Sequence, residues 1–241
     1  MRIAVISDIH GNLEALNTVL SASKELEVDR YICLGDIVGY GANPNECIDL
    51  VREWADLVIA GNHDHAAVGL TDVTDFNPFA RYAALWTART LTSANRDYLI
   101  ELPLLIEEPE ATFVHAEPEK PTEWRYIRSL YEASACLDWI RGKLCFIGHS
   151  HQPFMVSKED TTGVQVIPYV TEIDSKAKYL INVGSVGQPR DHDERASFAL
   201  WDRKEGTLEI VRVAYEIEKT QRKIRDEGLP PFLADRLAHG E

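Results

Sequence analysis

The chain has 241 residues, 45% of them hydrophobic, and a formal net charge of −14 at neutral pH. This length is sufficient for one substantial buried core. The acidic balance argues against long DNA or RNA as a partner, because binding a phosphate backbone requires neutralisation by Lys and Arg.

Membrane and secreted classes are also disfavoured by the sequence. No apolar stretch approaches the ~18 residues that a transmembrane helix needs, and the N-terminus has the pattern of a strand rather than of a signal peptide. The four cysteines show no C-x-x-C spacing, so they are expected to be small core residues in a reducing compartment. We therefore expect a cytoplasmic protein with no membrane partner.

Five short apolar runs in the first 150 residues are predicted to be β-strands, and each is followed by polar residues suited to chemistry. They are Ile3–Ile6 before Asp8 and His10, Tyr31–Leu34 before Asp36, Leu57–Ala60 before Asn62, His63 and Asp64, Thr112–Val114 before His115, and Leu144–Ile147 before His149 and His151. Ligand sites in α/β sheets form beyond the carboxyl ends of the strands. We therefore expect these side chains to meet at one site.

Helical patterns separate these strands. Apolar stripes predict helices over 13–20 and 47–54. Asn43 and Pro44 are suited to be the N-cap and first-turn residues of the second helix. The glycine-containing residues 39–43 are therefore expected to lead into this helix rather than to bind a phosphate. Further helices are predicted over Phe79–Leu91 and Ala94–Glu101. Residues 76–102 would form either a cap over the site or a packing layer.

The second half of the chain contains one further predicted helix before His151, and after this residue the pattern changes to strands. A helix is predicted over Trp124–Arg141, with Tyr131 and Trp139 on a largely buried face. Four strands and a charged helix follow, at Gln165–Val170, Tyr179–Val183, Ser197–Trp201, Thr207–Val213 and Ile217–Glu227. Residues 204–206 are expected to close a hairpin. No repeat or linker divides the chain, so residues 1–241 are expected to form one domain.

The polar residues have the chemistry of a divalent-metal site. Carboxylate and amide oxygens mixed with imidazole nitrogens suit Mn, Fe, Zn, Ni or Co. Asp36 is the best candidate to bridge two ions, because a carboxylate has two oxygens. Taken singly, each motif is also typical of a turn, but their joint occurrence favours a site. His65, His192 and His239 lie outside the pattern.

In this order, D-x-H, G-D, G-N-H-D, a single His and G-H-S-H resemble the calcineurin-like metallophosphoesterase superfamily. Residues 2–12 and Asn182–Arg190 are similar to its small bacterial and archaeal phosphoesterases. The resemblance implies a four-layer αββα sandwich of two mixed β-sheets flanked by helices, with two divalent metal ions. It also implies the ligands: Asp8, His10, Asp36 and His151 for the first ion, and Asp36, Asn62, His115 and His149 for the second.

The resemblance also implies the reaction. A hydroxide bound to both metals would attack a small phosphodiester or phosphomonoester, diesters being weakly favoured, and His63 would protonate the leaving oxygen. Asp64 is expected to accept the other N–H of His63 and to favour its charged form. The G-D-x-x-D-R-G pattern of the related phosphoprotein phosphatases is absent, because Gly35-Asp36 continues as Ile-Val-Gly-Tyr-Gly. This argues against a protein Ser/Thr phosphatase.

Two alternatives remain open from the sequence. Arg190 either grips a substrate phosphate or forms a surface salt bridge with Asp191 or Asp193. The fold could also serve as a non-catalytic scaffold, although such scaffolds typically lose ligands or the acid, and both are retained here. A zinc peptidase is disfavoured because the chain has no H-E-x-x-H motif.

Overall fold

Two mixed β-sheets of six strands each pack face to face in the computed structural model, which describes residues 1–241. In spatial order, the first sheet contains β3 (Leu57–Val58), β2 (Arg30–Cys33), β1 (Arg2–Ile6), β11 (Ala196–Asp202), β12 (Thr207–Val213) and β9 (Val170–Glu172). The second contains β4 (Leu105–Glu107), β5 (Ala111–Val114), β6 (Leu144–Ile147), β10 (Lys178–Asn182), β7 (Phe154–Glu159) and β8 (Gly163–Val166).

Eight α-helices accompany the sheets: α1 (Leu13–Glu25), α2 (Pro44–Trp54), α3 (Asn62–Val68), α4 (Pro78–Thr90), α5 (Ser93–Glu101), α6 (Leu130–Trp139), α7 (Ile217–Asp226) and α8 (Pro231–Asp235). One hydrophobic cluster joins α1 and α2 to the outer face of the first sheet. Another joins α6 to the outer face of the second. The result is the predicted four-layer αββα sandwich.

The core between the sheets follows from the alternation of side chains along the strands. Ile3 and Val5 point between the sheets, whereas Ala4 and Ile6 point towards α1 and α2. From the second sheet, the rings of Phe113 and Phe146 stack in this core with centroids 5.5 Å apart. Both faces of the central strands are therefore buried, as their continuous apolar runs predict.

The direction of the strands determines where the candidate site lies in the fold. β1, β2 and β3 run parallel in the first sheet, and β5, β6 and β10 run parallel in the second. Their carboxyl ends therefore lie at the same edge of the sandwich. Beyond this edge the loops remain hydrogen-bonded: the Asp8 amide donates to the Gly35 carbonyl at 3.0 Å, and the Gly148 amide donates to the His115 carbonyl at 2.9 Å.

Two predictions about the later part of the chain are wrong. Helix α6 begins at Leu130 rather than near Trp124, and its Tyr131 and Trp139 side chains are 85% and 40% exposed instead of buried. The run predicted as one strand over Gln165–Val170 is broken at Pro168, which has no N–H to donate to a sheet. Its two halves belong to β8 and β9, in different sheets.

Helices α4 and α5 pack beside α2 and α3. The Thr87 hydroxyl of α4 donates to the Gly39 carbonyl at 3.2 Å, and Phe79 of α4 stacks on Phe232 of α8. These contacts show that α4 joins the neighbouring helices, while the capping role of residues 76–102 stays a prediction. None of the helices combines the length and apolar character needed to span a bilayer.

Candidate metal centre

Two overlapping groups of acidic and imidazole side chains lie where the parallel strands end. The first consists of Asp8, His10, Asp36 and His151, and the second of Asp36, His115 and His149. Within each group, one ligand atom per residue lies within 4.8 Å of all the others. Asp36 belongs to both groups, as expected for a bridging carboxylate.

The shortest distances converge on one oxygen of each aspartate. Asp36 Oδ2 lies 3.3 Å from His115 Nε2 and 3.6 Å from His10 Nε2. Asp8 Oδ1 lies 3.2 Å from His151 Nε2. The other oxygen of each aspartate accepts a backbone N–H, from His63 to Asp36 Oδ1 at 2.8 Å and from His149 to Asp8 Oδ2 at 2.9 Å. Each carboxylate is thus oriented by the backbone, with one oxygen facing the cluster.

Each of the four imidazoles is held by a backbone carbonyl at the nitrogen that faces away from the cluster. Nδ1 of His10, His115 and His151 lies 3.1, 2.8 and 2.6 Å from the carbonyl oxygens of Val38, Leu34 and Gln188. His149 is turned the other way, with Nε2 lying 2.8 Å from the Trp124 carbonyl. Donation to a carbonyl fixes the tautomer. The remaining lone pairs, Nε2 of three rings and Nδ1 of His149, are available to a metal.

The proposed ligands have an unusual backbone conformation. Asp8, His10, Asp36, His149 and His151 all have positive φ, between 50° and 65°. This left-handed conformation is uncommon for residues other than glycine and costs energy. The tight turns bring the loops so close that a Cβ on Gly148 would lie 2.4 Å from Asp8 Oδ2, and one on Gly61 would lie 2.1 Å from Asp36 Oδ1. Glycine is therefore required at both positions.

Unpartnered buried atoms show that these residues fit divalent ions. Asp8 Oδ1, Asn62 Oδ1 and His115 Nε2 are buried and have no hydrogen-bond partner. Buried polar atoms in folded proteins nearly always have one. Oxygen and imidazole donors of this kind suit a borderline divalent cation, which would satisfy all three atoms. Asn62 is the first residue of α3 and directly precedes His63.

The electrostatics suit cation binding. Burial opposes ionisation of Asp8, but the imidazoles of His151 and His10 hold its pKa well below the usual range. Burial lowers the pKa of His149 to about 4, and burial together with Arg190 lowers that of His151 to about 3. Metals bind deprotonated ligands. The aspartate is thus ionised and these two imidazoles are neutral at pH 7, the states that a metal requires. At His115, burial is outweighed by Asp36 and Asp8, which raise its pKa to about 9, so a metal would have to displace a proton there.

His63 lies next to the two groups. Its ring centroid is 4.9 Å from that of His10, 4.6 Å from Tyr40 and 5.1 Å from Phe76, and its buried Nδ1 has no hydrogen-bond partner. Burial lowers the pKa of His63 well below its ordinary value, although the Asp36 carboxylate opposes the shift. Burial thus opposes the charged form of His63 that the sequence analysis expects.

Asp64 does not support His63 by a hydrogen bond. Its Oδ1 accepts the Val38 amide at 3.1 Å and its Oδ2 accepts the Gly61 amide at 2.9 Å, so both oxygens are used by the backbone. The prediction that Asp64 accepts an N–H from His63 is wrong. Asp64 instead ties the loop after β2 to the first turn of α3, which carries His63. Burial and the neighbouring Asp36 raise the pKa of Asp64 to about 7.

Arg190 lies at the site and is free of acidic partners. Its guanidinium Nη2 donates to the Tyr40 hydroxyl at 3.2 Å and to Gln188 Oε1 at 2.9 Å, while Nε is buried and unpaired. The alternative of a surface salt bridge is wrong, because Asp191 pairs with Arg212 and Asp193 pairs with Arg195. Arg190 thus presents an uncompensated positive charge near the ligands.

Sequence reasoning missed several neighbours of the ligands. Tyr126 stacks on His149, with centroids 4.1 Å apart and rings inclined by 16°, and Trp124 supplies the carbonyl that holds the same imidazole. Both belong to a segment that was predicted to be helical. Gly39 belongs to the segment predicted to lead into a helix, yet a Cβ at this position would lie 2.5 Å from His10 Nδ1. His65, outside the predicted pattern, lies on α3 and packs against the Trp124 ring.

The fold and the site together define an αββα sandwich protein with a candidate divalent-metal centre at one edge of its sheets. The chain belongs to the calcineurin-like phosphoesterase superfamily, whose domain matches residues 1–206. This family is generally dependent on divalent metals, in agreement with the donor set described above.

Three proteins are similar to this chain along its whole length. An uncharacterized protein of Methanocaldococcus jannaschii is 44% identical over 242 residues, covering 99% of this chain and 98% of the relative. The crystal structure of a metallophosphoesterase from Sphaerobacter thermophilus is 40% identical, with a TM-score of 0.88 over 100% of this chain and 99% of that one. A hypothetical protein from Pyrococcus horikoshii, 21% identical, shares the fold with a TM-score of 0.81 over 100% and 98%.

Proposed function

We propose that this protein hydrolyses small phosphate esters, diesters in preference to monoesters, with two divalent ions held by the two groups of ligands. The observation that carries the proposal is the position of Asp36, which belongs to both groups. A shared carboxylate suits a pair of ions at the ~3.5–4 Å separation used for displacement at phosphorus. Asp8, His10 and His151 would complete the first site, and Asn62, His115 and His149 the second.

The ions, when bound, would supply an activated water as nucleophile and would neutralise charge on the phosphate. The protein's own residues prepare the site for them. The backbone carbonyls that accept hydrogen bonds from the four imidazoles keep the metal-facing lone pairs in place. Five proposed ligands have strained backbone conformations with positive φ, which the folded loops maintain. Little reorganisation is then required during the reaction.

His63 is assigned the role of general acid towards the leaving oxygen. It is beside the ligands, and its imidazole makes no hydrogen bond within the protein. Nδ1 is buried, so Nε2 is the nitrogen that would donate a proton to a substrate. Burial disfavours protonation in the free protein. A bound phosphate ester would bring negative charge next to the ring and favour the imidazolium form. Asp64 positions His63 by holding the start of α3.

Arg190 is assigned to the substrate phosphate. A guanidinium binds phosphate oxygens through charge-assisted hydrogen bonds, and this one has neutral partners only. The non-catalytic scaffold is the weaker proposal, because a scaffold would have no use for the strained ligands, the unpaired acid and the unneutralised arginine that are present together here.

A hydrolysis assay with chelator-treated protein tests the proposal. Bis-p-nitrophenyl phosphate and p-nitrophenyl phosphate are supplied with Mn, Fe, Co, Ni or Zn in turn. We expect no turnover in chelator, restoration by at least one ion, and faster reaction of the diester. His10→Asn should abolish turnover, whereas His239→Asn, which alters an exposed histidine of the C-terminal 3₁₀ turn, should not. Full activity in chelator with a metal-free protein would refute the proposal.

A further inference from the structure

Tyr40 is a buried aromatic residue that packs directly against the candidate metal centre. It follows Asp36 in the loop between β2 and α2, and only 5% of its surface is exposed. Its ring centroid lies 4.6 Å from that of His10, a proposed ligand, and 4.6 Å from that of His63. Tyr40 therefore contacts both the first group of ligands and the proposed acid.

The backbone around Tyr40 is fixed on both sides. The Gly39 carbonyl accepts a hydrogen bond from the Thr87 hydroxyl at 3.2 Å, and the Gly41 amide donates to the His10 carbonyl at 2.7 Å. The Tyr40 ring also belongs to a hydrophobic cluster with residues of α4, α7 and α8. A side chain held in this way has little rotational freedom, so its hydroxyl occupies a defined position.

Arg190 reaches this hydroxyl from a loop that is distant in sequence. Its Nη2 donates to the Tyr40 hydroxyl at 3.2 Å, and its guanidinium carbon lies 5.6 Å from the Tyr40 ring centroid. The same nitrogen donates to Gln188 Oε1 at 2.9 Å. Gln188 is on the same loop as Arg190, so it moves with this loop. Tyr40 is the contact that ties the guanidinium to the loop of Asp36.

Neutral acceptors suit an arginine that has to bind an anion. A carboxylate would neutralise the guanidinium that it holds, whereas a phenol is uncharged at pH 7. The Arg190 amide donates to the carbonyl of His151, another proposed ligand, at 3.1 Å, and Arg190 Nε is buried without a partner. The side chain is thus held beside the ligands with its charge uncompensated.

A long arginine side chain has many rotamers, and fixing it in one of them costs conformational entropy. We infer that Tyr40 is a positioning residue, whose hydroxyl holds the Arg190 guanidinium in place for contact with the substrate phosphate. This inference rests on the proposed function, because it takes Arg190 as a phosphate-binding group. The competing roles for Tyr40 are packing of its ring and an effect through His63, which the ring also contacts.

A double-mutant cycle distinguishes these roles, because a residue that acts through Arg190 has no further effect once that side chain is removed. Tyr40→Phe keeps the ring and removes the hydroxyl. In the metal-loaded protein it should lower kcat/KM for bis-p-nitrophenyl phosphate by about tenfold, the effect of one hydrogen bond to a charged group. Arg190→Ala should lower kcat/KM further, and the double variant should match Arg190→Ala within about twofold. Losses that multiply would overturn the inference.

The leaving group separates a role through Arg190 from a role through His63. Protonation matters more for a poor leaving group. A role through His63 would therefore make Tyr40→Phe more harmful to an alkyl diester than to a p-nitrophenyl diester. We expect the same proportional loss of kcat/KM for both substrates. A clearly larger loss with the alkyl diester would overturn the inference.

Tyr179→Phe is the matched control. Tyr179 is also buried, and its hydroxyl accepts a hydrogen bond, from the Asp174 amide at 2.7 Å. It pairs with Leu144 at the start of β6, whereas the ligands follow the end of that strand. This variant should keep the wild-type kcat/KM. Thermal unfolding and elemental analysis should show that Tyr40→Phe retains its fold and its ions, and loss of metal would overturn the inference by assigning Tyr40 to the support of His10.

Binding of inorganic phosphate provides a readout that does not depend on turnover. By calorimetry, Tyr40→Phe should weaken phosphate binding to the manganese-loaded protein about tenfold, and should have no effect in the Arg190→Ala background. Absence of phosphate binding, or an affinity that Tyr40→Phe leaves unchanged, would overturn the inference, while hydrolysis by the same protein would leave the proposed function intact. Coupled effects on phosphate binding without any hydrolysis would support the role of Tyr40 and refute the proposed function.

Discussion

Asp36 and His63 are connected by a hydrogen bond from the His63 amide to Asp36 Oδ1, 2.8 Å long, while Asp36 Oδ2 faces His115 and His10. One carboxylate therefore contacts both groups of ligands and the first turn of the helix that carries the proposed acid. Asp36 therefore links the proposed metal ligands to the helix that carries the proposed acid. Substitutions in this region should separate metal binding from proton transfer.

Asp36→Asn should weaken binding of both ions, because it removes the negative charge that they would share but retains the oxygen that accepts the His63 amide. His10→Ala should mainly weaken the first ion. Elemental analysis after extensive dialysis measures the metal content per chain. Two tightly bound ions in the Asp36 variant would contradict the bridging assignment.

His63→Gln should leave metal content and stability close to those of the wild type, because His63 is placed outside the ligand groups. Turnover should fall by about 10²–10⁴, the loss typical of a general acid, and by less for a p-nitrophenolate leaving group that needs little protonation. Steady-state kinetics with an alkyl and a p-nitrophenyl diester provide the comparison. Loss of a metal from this variant would mean that His63 is a ligand.

Asp64→Ala should destabilise the protein, because the buried amides of Val38 and Gly61 would lose their acceptor. An unsatisfied buried group costs about 1–3 kcal/mol. Urea unfolding measures the free energy, and Asp72→Ala, which removes an acceptor from an exposed turn, is the control and should cost less. Equal stability of the Asp64 variant and the wild type would show that these hydrogen bonds do not hold α3.

The ion pairs of Glu14 should make part of the stability depend on pH. Burial opposes ionisation of Glu14, but Lys223, 2.7 Å away, and Lys219 lower its pKa below the ordinary value of 4.5. A lowered pKa contributes stability that is present above the unfolded-state pKa and is lost as pH falls through the folded-state pKa. Glu14→Gln should therefore cost stability at pH 7 and little at pH 3.

The control for this experiment is Glu25→Gln, at the exposed end of the same helix. Its effect on the unfolding free energy should be small at both pH values. If the difference between wild type and Glu14→Gln were the same at pH 7 and pH 3, Lys223 and Lys219 would not stabilise the Glu14 carboxylate. The docking of α7 on α1 would then depend on its other contacts, among them the hydrogen bond from the Thr220 hydroxyl to Asn12 Oδ1.

The part of the fold that leads to the ligands was predictable because its strands are buried on both faces. Continuous apolar runs such as Leu144–Ile147 identify β6 with its observed bounds, and the motifs contain the acidic and imidazole side chains that meet at the candidate metal centre. The later strands were predicted nearly as well where a turn separates them, as between β11 and β12. In these segments the hydrophobic pattern of the sequence matches the burial of the side chains in the folded protein.

Other features depend on contacts between residues that are distant in sequence, and a local sequence pattern does not predict such contacts. Residues 124–129 have a helical composition, but Trp124 adopts a left-handed conformation with φ of 51°, and its carbonyl is hydrogen-bonded to His149. The positive φ of Asp8 or His151 likewise follows from convergence of loops that are distant in sequence. The sequence does not show whether the Asp64 carboxylate faces His63 or the backbone. In the folded protein it faces the amides of Val38 and Gly61, because the loops bring these amides next to it.

Anomalous X-ray scattering from crystals of the manganese-loaded protein would test the central claim most directly. We expect two peaks about 3.5–4 Å apart, with Asp36 contacting both. Asp8, His10 and His151 should contact one ion, and Asn62, His115 and His149 the other. A single peak, or two peaks without a shared Asp36, would contradict the account.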